Sequence, residues 1–304
     1  MSGGARGPKT GRVTLASLAA KKDAGEPIVM VTAYDHPSAR IADEVGVDVV
    51  LVGDSAANVV LGYSSTVPVT VEEMLMLTRA VRRGLASALL VADLPFGSYE
   101  ASDADAVRTA QRFVKEGGAD AVKLERGGTS VSRARAVIQA GIPVMGHVGL
   151  TPQSVHAMGG FKVQGKGHDA DRVINDARAL EEAGAYAIVL EAIPPDLAEE
   201  VTAAVSVPTI GIGAGPRCDG QVLVCYDLLG MYRDLKPKFA KRFAELGDAA
   251  VGAMRAYVSE VQERTFPGPE HSFKPNNATP RREVVAPSHD VQDADEIPPH
   301  WQTH

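Results

Sequence analysis

The chain is expected to fold as an α/β protein, a (β/α)8 barrel, on three observations. Eight short apolar runs rich in β-branched residues recur along the 304 residues, helix-period segments lie between most of them, and several of the runs end in acids. Runs of this length read as strands buried on both faces, as in a parallel sheet. Strand–helix alternation repeated eight times points to a closed barrel, with an open doubly wound sheet as the structural alternative.

Element by element, residues 1–11 read as a flexible lead, and Thr14 is placed to cap an N-terminal helix running to Ala24. Strands are expected at 28–33, 48–53, 88–93, 119–124, 143–147, 186–191, 207–212 and 221–226. Thr70-Val71-Glu72-Glu73 is a capping box ahead of Met74-Leu75-Met76-Leu77. Ser102 can cap a helix through Phe113 and Val114 that the Gly117-Gly118 pair ends, and Asp169 or Asp171 can open one that stops at Gly184. Two connections, 54–70 and 148–168, are long, and in a barrel both fall on the carboxyl-end face, where long loops tend to be functional. Segment 236–264 reads as C-terminal helix, with Ala249 to Val261 as its second amphipathic stretch. Residues 274–304, proline-rich and without apolar period, read as a disordered tail, which leaves 12–273 as a single barrel domain.

A hydrophobic content of 45% is ample for a full core, and a net charge of −7 without a basic cluster argues against a nucleic-acid partner. The two cysteines, Cys218 and Cys225, stand seven apart, too few for a disulfide scaffold or a cysteine zinc site, and fit a reducing compartment. The first residues lack the apolar stretch of a secretory signal, and no run approaches the ~20 residues that span a membrane, so a cytoplasmic location is expected.

If the runs close into a barrel, their carboxyl ends meet on one rim. Asp54 and Asp93 then stand together, and two carboxylates suit a hard divalent cation such as Mg²⁺ while leaving positions for water and substrate. Each acid could equally cap the next helix or meet a lysine. Lys123 and Glu125, two apart, share one strand face, where Lys123 could bind an anionic oxygen or simply bridge to Glu125. Glu191 closes the sixth run; in a mostly apolar barrel mouth its pKa should rise, which suits a general base, though it could also cap a loop. His147 could orient a substrate or relay a proton, or be a satisfied core histidine. Ser55 offers a hydroxyl and an N–H to a substrate carboxylate. The glycines of Gly211-Ile212-Gly213-Ala214-Gly215 resemble a phosphate-cradling turn, with tight turn geometry as the safer reading.

Seven blocks in order carry a resemblance over residues 12–273: Thr32-Ala33-Tyr34-Asp35, Leu51-Val52-Gly53-Asp54-Ser55, Ala92-Asp93-Leu94-Pro95-Phe96, Val122-Lys123-Leu124-Glu125, Gly149-Leu150-Thr151-Pro152-Gln153-Ser154, Gly211-Ile212-Gly213-Ala214-Gly215 and Pro267-Gly268-Pro269-Glu270-His271-Ser272-Phe273. In these the chain resembles the ketopantoate hydroxymethyltransferase family. The resemblance implies a phosphoenolpyruvate-mutase-like barrel, a homodecamer, and transfer of a one-carbon unit from 5,10-methylenetetrahydrofolate to 3-methyl-2-oxobutanoate through a Mg-stabilised enolate. The product would be 2-dehydropantoate, on the route to pantothenate and coenzyme A. It also implies one Mg²⁺ per subunit on Asp54 and Asp93, with Glu125 completing the site directly or through water. Ser55 and Lys123 would hold the keto acid, and Glu191 would accept the proton.

Ser64 stands where relatives often carry aspartate, and Arg126 interrupts a Glu-Gly-Gly run beside Glu125. Two rival readings remain at this point. One is a carbon–carbon lyase or mutase on the same barrel, for which a reactive cysteine in a mobile loop is expected; the cysteines here fall near the eighth strand. The other is a non-catalytic oligomeric scaffold, which has no physical need of clustered rim acids.

Overall fold

A computed structural model describes residues 11–160, 162–234 and 237–273. The expectations for residues 1–10, for Lys236 and for the 274–304 tail lie outside the described residues. The chain divides into two compact units, 1–251 and 252–304.

In the first unit eight parallel strands close on themselves, β8 pairing with β1, which excludes the open sheet. They are β1 (Ile28–Thr32), β2 (Val49–Val52), β3 (Leu89–Asp93), β4 (Ala121–Lys123), β5 (Val144–Gly149), β6 (Ala187–Glu191), β7 (Thr209–Ile212) and β8 (Gly220–Leu223). Most are a residue or two shorter than the apolar runs that encode them. The largest change is in β8, which stops at Leu223 because the Cys225 N–H turns to donate to Thr32 Oγ1 at 2.9 Å and starts a helix.

The helices are α1 (Leu15–Asp23), α2 (His36–Glu44), α3 (Ala56–Val59), α4 (Val71–Gly84), α5 (Asp103–Lys115), α6 (Ser130–Gln139), α7 (Ala170–Glu182), α8 (Pro195–Ala204), α9 (Cys225–Leu228) and α10 (Leu246–Gln262). Thr14, Thr70 and Ser102 each accept a backbone N–H three residues on, as the capping signals require. Asp169 precedes α7 without capping it; its carboxylate accepts from the Gly165 N–H and pairs with Arg172. The short α3 and α9 carry no periodic signal.

The C-terminal helix begins at Leu246 rather than near 236. Phe243, Leu246 and Gly247 give their N–H groups to the carbonyls of Leu228, Leu229 and Gly230 at 2.8–3.1 Å. Donors spent on a neighbouring segment cannot close helical turns, so the chain here stays irregular. In the second unit, the Phe266 ring packs between Tyr257 of α10 and His271, with centroids 5.5 and 5.2 Å away. No helix among the described residues is long and apolar enough to cross a membrane.

Two cores follow from strand alternation. Residues facing outward, such as Val50, Val52, Leu90, Val122 and Leu190, pack against the helices. Those facing inward, Ile28, Met30, Val49, Leu51, Leu89, Val91, Ala121, Met145, Ala187, Val189, Ile210, Ile212 and Val222, fill the barrel together with Val13 and Leu18. Leu18 belongs to α1, so the N-terminal helix adds to the interior core.

Asp43 of α2 organises the turn into β3, accepting from the N–H groups of Ala86, Ser87 and Ala88 at 2.9–3.1 Å. Burial opposes its charge, but these donors outweigh burial and hold the carboxyl below its ordinary value. The stabilisation is therefore complete above the unfolded carboxylate pKa and is lost as pH falls through the lower folded value. Asp43→Ala is expected to cost about 1–3 kcal/mol at neutral pH. Paired melting curves should show that deficit shrinking as the pH is brought below the carboxylate range.

Candidate active site

The inward series continue past the apolar layers into charge. From Leu89 and Val91 the next inward residue is Asp93; from Ala121 come Lys123 and Glu125; from Met145 comes His147; from Ala187 and Val189 comes Glu191. One alternation thus puts five ionisable groups at the carboxyl end of four adjacent strands. Asp54 joins them from the turn after β2, where its own N–H donates to Asp93 Oδ2 at 2.9 Å. A Cβ on Gly53 before it would come 2.8 Å from Ser55 Oγ, so a side chain there would displace that hydroxyl.

These groups are in direct contact. Lys123 Nζ lies 2.8 Å from Asp93 Oδ1 and 3.4 Å from His147 Nδ1. His147 stands between two acids as an ion contact without an aligned hydrogen bond at Nε2, with Nδ1 3.5 Å from Glu125 Oε1 and Nε2 3.3 Å from Glu191 Oε2. Asp54, Asp93, Lys123, Glu125 and His147 are all buried, whereas the Glu191 side chain keeps 15% of its exposure. The cavity mouth around Glu191 is lined mainly by apolar side chains, as expected, with His147 as its polar neighbour. Ser55 Oγ is hydrogen-bonded to Tyr34 OH at 2.9 Å. All seven expected site residues line one cavity of about 560 Å³, with Leu51, Val189, Ile212 and Val222 as its apolar floor.

Burial and the neighbouring charges of Asp93 and Glu125 push the Asp54 carboxyl well above its ordinary value. Burial also raises Asp93, against the pull of Lys123. For Glu125 burial is outweighed, and the hydrogen bond and charge of His147 hold it below the usual range. Burial and Lys123 disfavour a charged His147, yet its two carboxylate partners win and raise it to about 9. Lys123, despite burial, is held above its ordinary value by Asp93, Glu125 and Asp54.

Among the described residues no ready-made group of three or more His, Cys, Asp or Glu side chains is arranged to hold a metal ion. Mg²⁺ commonly takes only one or two carboxylates, and the Asp54–Asp93 pair meets that requirement. Asp93 Oδ1 is buried without an aligned hydrogen bond, its Lys123 neighbour being an ion contact. The raised Asp54 carboxyl marks negative charge that a cation would relieve. The donor set therefore fits a divalent cation. Both Glu125 oxygens already have partners, the Gln153 N–H at 3.0 Å and His147.

Sequence reasoning gave no role to Tyr34, Tyr99 and Gln153, which contact site residues from behind. Gln153 and Tyr34 stand within quoted blocks, but nothing in their local pattern marks a contact. Arg126 takes a left-handed backbone (φ 78°) and donates its N–H to His147 O, continuing the strand edge. Ser64 lines the cavity. Gly213 and Gly215 serve tight turns (φ 62° and 79°), and a Cβ on Gly215 would meet Pro195 at 2.6 Å. Cys225 is buried and Cys218 half-buried, neither lines the site cavity, and burial raises both thiols to about 11.

A family profile described as ketopantoate hydroxymethyltransferase matches residues 12–269. The chain is 58% identical over 264 residues to the 3-methyl-2-oxobutanoate hydroxymethyltransferase of Moorella thermoacetica, covering 86% of this chain and 98% of that one. It is 57% identical over 263 residues to the enzyme of the same name from Carboxydothermus hydrogenoformans, covering 86% and 95%. Among solved structures, phosphonopyruvate hydrolase with oxalate and Mg²⁺ superposes with a TM-score of 0.57 at 16% identity, over 83% of this chain and 88% of that one. A 2,3-dimethylmalate lyase of the PEP mutase/isocitrate lyase superfamily superposes with a TM-score of 0.55 at 20% identity, over 86% and 92%. At such identities these two speak for the barrel alone.

The His147 environment sets a testable state for the metal-free protein. Its imidazole should remain doubly protonated at pH 7.5 and lose its charge only as pH rises through about 9. Ring ¹⁵N shifts of histidine-labelled protein, assigned with His147→Gln, measure this directly. A neutral ring at pH 7.5 would contradict the bridging role.

Proposed function

We propose that this chain, which belongs to the ketopantoate hydroxymethyltransferase family, transfers a one-carbon unit from 5,10-methylenetetrahydrofolate to 3-methyl-2-oxobutanoate. The product is 2-dehydropantoate, which leads to pantothenate and coenzyme A. One observation carries the reading: a lysine, a hydroxyl and a pair of carboxylates line the same cavity as Glu191, which His147 links to Glu125 and Lys123.

Each residue has a separate task. Lys123 and Ser55 bind the carboxylate and 2-oxo end of the keto acid and orient it across the mouth. The apolar floor of Leu51, Val189, Ile212 and Val222 suits the branched alkyl end. Glu191, the least buried of the acids, takes the proton from C3. His147 holds the Glu191 carboxylate in place through Nε2 and counters its charge before the proton arrives. Asp54 and Asp93 would hold one Mg²⁺ per subunit, with Glu125 adding negative charge beside them. When bound, the ion supplies Lewis-acid stabilisation of the negative charge that develops on the 2-oxo group. The C3 carbon then forms its bond to the methylene carbon of the donor, and water supplies the hydroxyl. Both carbon–nitrogen bonds of that methylene carbon break, the protons from C3 and from water pass to the two nitrogens, and tetrahydrofolate leaves.

The lyase or mutase reading draws on the fold likeness alone, and the buried, high-pKa cysteines outside the cavity give it no nucleophile. A scaffold would not need this many buried charges beside a cavity. A cytoplasmic homodecamer accompanies the family reading.

Two measurements test it. Product formation from the keto acid and methylenetetrahydrofolate should require Mg²⁺ and stop on chelation. Glu191→Gln should lower turnover by about 10²–10⁴-fold while Mn²⁺ still binds. Absence of product together with absence of C3 proton exchange in deuterated water would refute the assignment.

A further inference from the structure

Behind the carboxylates lies a second layer of hydrogen bonds that the reaction scheme leaves unused. Gln153, in the loop after β5, is buried, and all its side-chain bonds go to fixed groups. Its Nε2 donates to Leu94 O and to Asp54 Oδ2, each at 3.0 Å. Its Oε1 accepts from Tyr99 OH at 2.7 Å. Its backbone N–H donates to Glu125 Oε2 at 3.0 Å. Tyr99, from the loop after β3 and equally buried, accepts the Glu125 N–H at 3.2 Å.

The polarity of this chain is determined by chemistry. Leu94 O can only accept, so the amide must turn its nitrogen toward Leu94 and its oxygen toward Tyr99. The second amide proton then has Asp54 Oδ2 as its target, and that oxygen must act as an acceptor. No hydrogen bond among the described residues uses Asp54 Oδ1, which leaves it for the cavity. Glu125 is likewise held at Oε2, its Oε1 facing His147. One residue therefore sets which oxygen of two separate acids is engaged from behind.

We propose that Gln153 and Tyr99 are a positioning pair that presents Asp54 Oδ1 to the divalent cation and orients Glu125. This rests on the reading of Asp54 and Asp93 as the metal-holding pair. Hydrogen bonds to ligand carboxylates orient them and tune their hold on the metal. A rigid, fully satisfied partner such as this amide suits that task, because an alternative orientation of the amide would leave buried groups unpaired.

The test uses the full-length protein and Mn²⁺ as probe, with free ion counted by electron paramagnetic resonance. Gln153→Met keeps volume and removes all three side-chain amide hydrogen bonds; Tyr99→Phe keeps the ring and removes only the hydroxyl. Gln153→Met is expected to weaken Mn²⁺ binding about 10–100-fold. Tyr99→Phe should weaken it less, and the double variant should fall short of the sum of the two single effects, since they share the Tyr99–Gln153 hydrogen bond. For either variant the KM for the keto acid should rise at limiting metal and return toward the wild-type value at saturating Mn²⁺, which general loosening of the fold would not produce. Asp54→Asn serves as reference. If it abolishes Mn²⁺ binding while Gln153→Met and Tyr99→Phe bind as wild type, the positioning role is wrong and the metal site stands. If Asp54→Asn binds Mn²⁺ normally, the metal reading fails and the proposal with it. Should Gln153→Met not fold, Tyr99→Phe decides by the same criterion.

Discussion

Three carboxylates, Asp54, Asp93 and Glu125, are buried within reach of one another in the barrel mouth, and their mutual repulsion is the constraint around which the site is built. Burying an ion without a partner is expensive, so such a cluster persists only if its charge is answered in place. Lys123 answers Asp93 at 2.8 Å, and His147 stands between Glu125 and Glu191. What these two cations leave over falls on Asp54, whose carboxyl is raised by burial and by its neighbours. The remaining imbalance is negative and points into the cavity, the side from which positive charge would offset it.

The opposite end of the barrel solves a different problem. Leu18 of α1 joins the interior core, and two lysines on the same helix reach the strand starts. Lys21 meets Asp48 at 2.8 Å just before β2, and Lys22 meets Asp219 at 2.9 Å just before β8. Asp120, ahead of β4, holds Arg12 and Arg82 in a third partly buried pairing. These contacts fasten the amino ends of the strands. Charge there stabilises, whereas charge at the carboxyl ends is left partly unbalanced for chemistry, the usual division between the two faces of such barrels.

Much of this was legible residue by residue. Asp93 and Glu191 end their apolar runs, and a run end in a parallel barrel is a rim position. Lys123 and Glu125, two apart, had to share a face, and alternation made that face the interior. Other features could not be read. The start of α10 depended on where Phe243 and Leu246 spend their N–H groups. The setting of Glu191 depended on His147 from the neighbouring strand. Asp169 had the residue type of a cap, but Gly165 claimed its carboxylate first.

The chain's own pattern points to the strands, their inward and outward residues and the acids at their ends, because period-two alternation and strand ends are local properties of sequence. Closure into a barrel rather than an open sheet is decided by the pairing of β8 with β1. Which oxygen of Asp54 faces the cavity is decided only when the barrel closes. Gln153 lies 99 residues from Asp54, and the amide that orients it is itself oriented by Leu94 and Tyr99 from another loop. Hydrogen-bond direction among such groups is a property of their joint geometry, and no single segment carries it.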